Sequence, residues 1–177
     1  MRSHRRLTGI VFPIVAAAGC LVARPAAAAE KHYDFLSPGL LFSIELNRKY
    51  SFGLGAELSF NRLFDKDPGP GYGAFTHATY YFDEQFARLA LGGQANVLVG
   101  GVEAGWAVNT ASTEGYAAST GPILGAFGSI AILMVAFRGT IPVAGDSPGP
   151  ITIDIGLKAP IQVGGATLSF GGSGKPS

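Results

Sequence analysis

Seven charged residues, Glu45, Glu57, Arg88, Glu103, Arg138, Asp154 and Lys158, share their face of the local sequence with small or polar residues. Four acids and three bases that face a common interior support two kinds of chemistry. They can neutralise one another as a structural ion-pair network, because an ion desolvated alone costs several kcal/mol. They can also line a narrow path for ions or small solutes. Arg88 and Arg138 are the first candidates as partners of Glu57. Of the three histidines, His4 and His32 lie near the N-terminus, and His77 shares the small-residue face with Thr79. The simplest use of His77 is a hydrogen bond to a neighbour such as Glu57. There is no Gly-rich phosphate loop opening a helix, no His/Cys metal cluster and no paired-carboxylate motif of defined spacing. No catalytic residue, metal or cofactor is therefore expected, and the chain does not read as an enzyme.

Strands must position these charges, because the alternation has period two. From 151 to 163, Ile151, Ile153, Ile155, Leu157, Ala159, Ile161 and Val163 oppose Thr152, Asp154, Gly156, Lys158, Pro160 and Gln162. Phe52, Leu54, Ala56, Leu58 and Phe60 likewise oppose Ser51, Gly53, Gly55, Glu57 and Ser59. The pattern predicts about eight strands, near 38–46, 50–62, 71–82, 86–94, 97–108, 120–128, 130–141 and 151–163. Their length of about ten residues suits a tilted bilayer-crossing strand. Turn residues separate them, including Asn47-Arg48-Lys49, Asp83-Glu84-Gln85 and two Pro-Gly-Pro loops at 68–70 and 148–150. The fold class read here is all-β, an antiparallel up-and-down barrel.

Composition decides which face points out. Charged residues make up 14% of the chain and hydrophobic ones 47%, with 26 glycines. A soluble surface carries about 25–35% charged residues, so the sparse Gly/Ser/Thr face fits a lumen and the apolar face fits lipid. Aromatic residues fall at strand ends: Phe60, Phe64 and Tyr72 at one rim, and Tyr50, Phe52, Tyr80, Tyr81, Phe82, Phe86 and Trp106 toward the other. Two aromatic girdles around an aliphatic belt suit the two membrane interfaces. The formal charge of +1 gives no electrostatic reason to expect nucleic acid.

The N-terminus reads as a secretory signal, with Arg2, Arg5 and Arg6 before an apolar stretch from Leu7 to Ala23. Ala27-Ala28-Ala29 forms a small-x-small cleavage site before Glu30. The expected division is a signal at 1–29, a barrel at 30–170 and a tail at 171–177. The only cysteine, Cys20, follows Ala17-Ala18-Gly19, a loose match to a lipoprotein lipobox; cleavage after Ala29 leaves a mature chain without cysteine.

Segments such as Gly53-Leu54-Gly55-Ala56-Glu57-Leu58, Gly71-Tyr72-Gly73-Ala74-Phe75 and Gly101-Val102-Glu103-Ala104-Gly105-Trp106 carry a resemblance. Through them, the chain from Gly39 to Val163 resembles the small, roughly eight-stranded outer-membrane barrels of Gram-negative bacteria. That resemblance bears on fold and location and is nearly silent on activity. The reading taken here is a monomeric outer-membrane barrel with lipid as its partner and a structural or envelope-interaction role. Alternatives are a narrow solute channel and a soluble periplasmic, lipocalin-like barrel for an apolar ligand. His77 and Thr79 are also similar to the His-x-Ser pair of outer-membrane lipid A deacylases, although a hydroxyl of Thr replaces Ser and no acid has matching spacing. Two features depart from the barrel pattern. Phe170, the aromatic that could end the last strand, is followed by Gly171 to Ser177. The long connections 2–3, 5–6 and 7–8 cannot all lie on one side, which points to a miscounted strand near His32–Leu36 or Ala166–Phe170.

Overall fold

The structure, a computed structural model, describes residues 31–47, 50–64, 70–97, 99–145 and 148–166. The signal segment with His4 and Cys20, the cleavage site, Leu98, Phe170 and the tail lie outside the described residues. The strands are β1 (His32–Glu45), β2 (Ser51–Phe64), β3 (Pro70–Tyr81), β4 (Phe86–Val97), β5 (Gly100–Asn109), β6 (Ser119–Ile130), β7 (Leu133–Thr140), β8 (Ile151–Lys158) and β9 (Ile161–Gly165). No helix forms among the described residues.

From β1 to β8 each strand pairs antiparallel with the next, and β8 returns to β1, so the sheet closes. β9 continues the line of β8 along the other half of β1. The strand expected over 151–163 is thus one barrel stave interrupted at Ala159-Pro160. Pro160 has no N–H to donate, and Pro38 lacks one on β1, so the ladder thins between Lys158 and Ile161. One bond bridges the gap, from the Ala159 N–H to the Pro38 carbonyl at 2.9 Å. The count is eight staves. His32–Leu36 is not a missed strand but the first part of β1, held between β2 and β9 beyond Pro38.

Following the register from Tyr33 through Leu63, Gly71, Asn96, Gly101, Phe127, Ala136 and Asp154 returns to β1 at Ser43, a stagger of ten residues. With eight strands that stagger sets a tilt of about 40° and a bore just wide enough for side chains. Close approach in the lumen requires glycine at places. A Cβ on Gly92 would lie 2.7 Å from the Gly105 Cα across β4 and β5.

The two rims differ. Connections 46–50, 82–85, 110–118 and 141–150 lie at one end, here called upper. The lower end carries 65–69, two connections of only two residues (98–99 and 131–132), and both ends of the described chain. Connection 2–3 therefore lies opposite 5–6 and 7–8, with no strand miscounted. Residues 131–132, expected within the seventh strand, form a turn instead, with Ala131 at a φ of 53°.

Burial inverts that of a soluble domain. Among the described residues, 29 large hydrophobics are exposed and nine hydrophobic residues are buried, beside 19 buried polar or charged ones.

Candidate functional site: an ion-filled lumen above a blind vestibule

Alternation turns every second residue of each strand inward, and the stagger decides which of them meet. Arg138 on β7 is fully buried and reaches three other strands. Its Nη2 donates to Glu57 Oε2 on β2 at 2.8 Å and to Glu103 Oε2 on β5 at 3.1 Å. Its Nε donates to Glu103 Oε1, and its Nη1 to Asp154 Oδ2 on β8 at 2.9 Å. The guanidinium also lies 5.8 Å from the centre of the Phe75 ring. Lys158 binds the second oxygen of Glu57 and approaches Ser59 Oγ at 3.4 Å. Five of the seven expected charges thus form one cluster, two cations against three carboxylates. Charge-assisted bonds of this kind are the strong ones.

Neutral groups extend the cluster. Ser43 Oγ donates to Asp154 Oδ1 and shares a 2.8 Å bond with the Tyr81 hydroxyl. Above it, Arg88 donates to Asn109 Oδ1 at 3.2 Å, Thr152 Oγ1 at 3.2 Å and the Pro150 carbonyl at 3.5 Å. Arg88 also lies 5.5 Å from the Tyr81 ring centre. Glu45 is buried and stands beside Thr152 in the register between β1 and β8.

Tyr81 and Phe86 are not girdle residues. Both point inward and stack on each other at 4.5 Å, closing the upper lumen. Parity carried the signal, since Tyr81 follows His77 and Thr79 at period two while Tyr80 and Phe82 take the other face. Tyr50, Phe52, Phe60, Tyr72, Tyr80, Phe82 and Trp106 are all exposed. Tyr50, Phe52, Tyr80 and Phe82 stand at the upper rim, with Trp106 three residues below the end of β5. Phe60 and Tyr72 lie toward the lower rim. Glu57 is opposite His77 in the register, but both its oxygens go to Arg138 and Lys158, and His77 Nδ1 has no hydrogen-bond partner among the described residues. His77 and Thr79 are both buried in the lumen.

Below the cluster the lumen opens into a cavity of about 270 Å³ at the lower rim. Lys158 and Ser59 stand at its inner end, Asn61, Gln94 and Asn96 on one wall, and Phe35 and Phe127 among its apolar lining. The Arg138 cluster separates it from the upper lumen.

No protein-family model matches this chain, and no curated protein matches it.

The outer face adds a pair that the pattern of inward charges had not included. Asp34 and Arg62, neighbours across β1 and β2, form a bidentate pair at 2.7 and 2.8 Å near the lower rim, beside Tyr72. The pairing irregularity there lies on β9, where Val163 is passed over, so Asp34 keeps the parity of Leu40 and Phe42 and Arg62 that of Leu58 and Phe60, and alternation itself places both on the outer face. Among the described residues, this pair is the only charge on the strands' outer face.

Proposed function

We propose that this chain is an exported, monomeric outer-membrane barrel of a Gram-negative bacterium with a structural or envelope-interaction role, its lumen closed by the Arg138 network. The observation that carries the reading is the uncharged outer belt between the Asp34–Arg62 pair and the upper rim. On β2 it runs ten residue steps from Phe52 to Arg62, about 25 Å at the tilt given above, which is the height of the apolar band of such barrels. Polar atoms on the belt are satisfied within it, as hydrocarbon demands. Thr76 Oγ1 donates to the Ala90 carbonyl at 3.1 Å, Trp106 Nε1 to Thr120 Oγ1 at 2.6 Å, and that hydroxyl to the Ala107 carbonyl at 2.9 Å. Short lower turns and longer upper connections fit a periplasmic lower rim.

A barrel that carries an apolar ligand in water needs an apolar interior, and here the interior holds the ions. A channel needs a hydrated path, and the side chains of Arg138, Glu57, Glu103 and Asp154 are at most 3% exposed. The signal at 1–29 and the tail at 171–177 belong to the proposal as expectations from the sequence. The test is fractionation of the expressed chain. Recovery in the outer membrane after an alkaline wash, with folded protein released only by detergent, supports the reading. Folded protein in the periplasmic extract without detergent overturns it.

A further inference from the structure

The lower vestibule is a blind pocket whose lining is chemically divided. Among the described residues, Lys158 is the only charged one in that lining, and it is already bound to Glu57. An anion entering the pocket would compete with Glu57, and a cation would meet the ammonium. Neutral hydrogen-bonding groups dominate the polar wall. Gln94 Nε2 donates to Asn61 Oδ1 at 2.5 Å, which ties the two amides together and leaves Asn61 its N–H donors and Gln94 its carbonyl. The buried Oδ1 of Asn96 has no hydrogen-bond partner among the described residues and calls for a donor. Phe35 and Phe127 supply apolar surface to the same space.

A ligand matched to this lining must donate and accept hydrogen bonds, carry no net charge, and offer an apolar face. Ring hydroxyls both donate and accept, and the C–H face of a sugar ring packs on aromatic side chains. The volume of about 270 Å³ holds one ring with its substituents rather than a chain of them. We propose that the vestibule binds a single neutral, polyhydroxylated ring, a pyranose that is either free or the end of a longer glycan. The proposal rests on the pocket alone and does not depend on what surrounds the outer belt.

The test uses the full mature chain in detergent, titrated by calorimetry and by saturation-transfer NMR. The probes are glucose, N-acetylglucosamine and the disaccharide of N-acetylglucosamine, with gluconate and glucosamine as charged controls. Binding of a neutral sugar at millimolar concentration, at least tenfold tighter than either charged control, supports the proposal. Binding of monosaccharides alone identifies a free sugar, and equal binding of the disaccharide identifies a chain end. Asn96→Leu, which keeps the shape but removes the acceptor, is expected to weaken binding about tenfold, and Ser129→Trp to abolish it by filling the pocket. Heat-modifiable migration checks that each variant is folded; should the tryptophan variant not fold, Asn96→Leu and the charged controls still decide. The proposal is overturned if no neutral sugar binds the unmodified chain, if a charged control binds as well, or if folded Asn96→Leu binds undiminished.

Discussion

Two arginines are buried in this lumen and are held in opposite ways. Arg138 meets three carboxylates from three other strands, whereas Arg88, one layer higher, rests on an amide, a hydroxyl, a backbone carbonyl and the face of Tyr81. The bonds described for Arg138 all go to carboxylates, and those described for Arg88 all go to dipoles. Removing Arg138 leaves three carboxylates without their shared cation.

The sharpest way to break that comparison is to delete each arginine in turn. Arg138→Met is expected to cost about 3–5 kcal/mol, the range for breaking a buried ion pair. Arg88→Met should cost about 1–3 kcal/mol, the range for a buried polar group left unsatisfied. Urea-induced unfolding in detergent measures both, and equal losses would remove the distinction.

A third arginine, placed outside, extends the comparison to a surface with neither charges nor dipoles to offer. Leu54→Arg on the middle of the β2 belt should destabilise the barrel by about 2–4 kcal/mol when it is refolded into lipid vesicles. The same variant should be nearly neutral if that face meets water.

Coupling within the cluster gives a smaller, signed effect. Glu57→Gln and Lys158→Met should be non-additive by about 0.5–3 kcal/mol in a double-mutant cycle, with the second change recovering part of the loss from the first. Glu57→Gln with Arg88→Met should add within about 0.5 kcal/mol. Additivity in both cycles would mean independently hydrated charges and a wet lumen, and the channel reading would then overtake the structural one. The smallest expected effect is that of Tyr81→Phe, about 0.5–1.5 kcal/mol, from loss of the hydroxyl's bond to Ser43.

The inward position of the seven charges was legible because a strand's side chains alternate strictly, so parity along each segment sets the face. Which charges meet was not legible, because that depends on the stagger of the closed sheet. Arg88 and Arg138 were equal candidates for Glu57 by face, and the ten-residue stagger around the barrel brings Arg138 to it across 81 positions of sequence. The seam was legible only in part. The first strand was expected over 38–46, yet β1 begins at His32, and the strand expected to run unbroken over 151–163 is interrupted at Ala159-Pro160. The vestibule was invisible for the same reason as the cluster, as its walls come from strands distant in the chain and aligned only by closure.

In the proposed arrangement the apolar face meets lipid while the polar face is sealed inside. If the signal is cleaved after Ala29 the mature chain has no cysteine, so single cysteines can carry spin labels at Leu54, Leu58 and Ser59 in vesicles. Collision rates with oxygen, which partitions into hydrocarbon, and with a water-soluble nickel chelate then report each surrounding. Strong oxygen contact and weak chelate contact are expected at Leu54 and Leu58, with the oxygen signal collapsing at Ser59 one residue away. Equal oxygen contact at Leu58 and Ser59, or dominant chelate contact at Leu54, would contradict it.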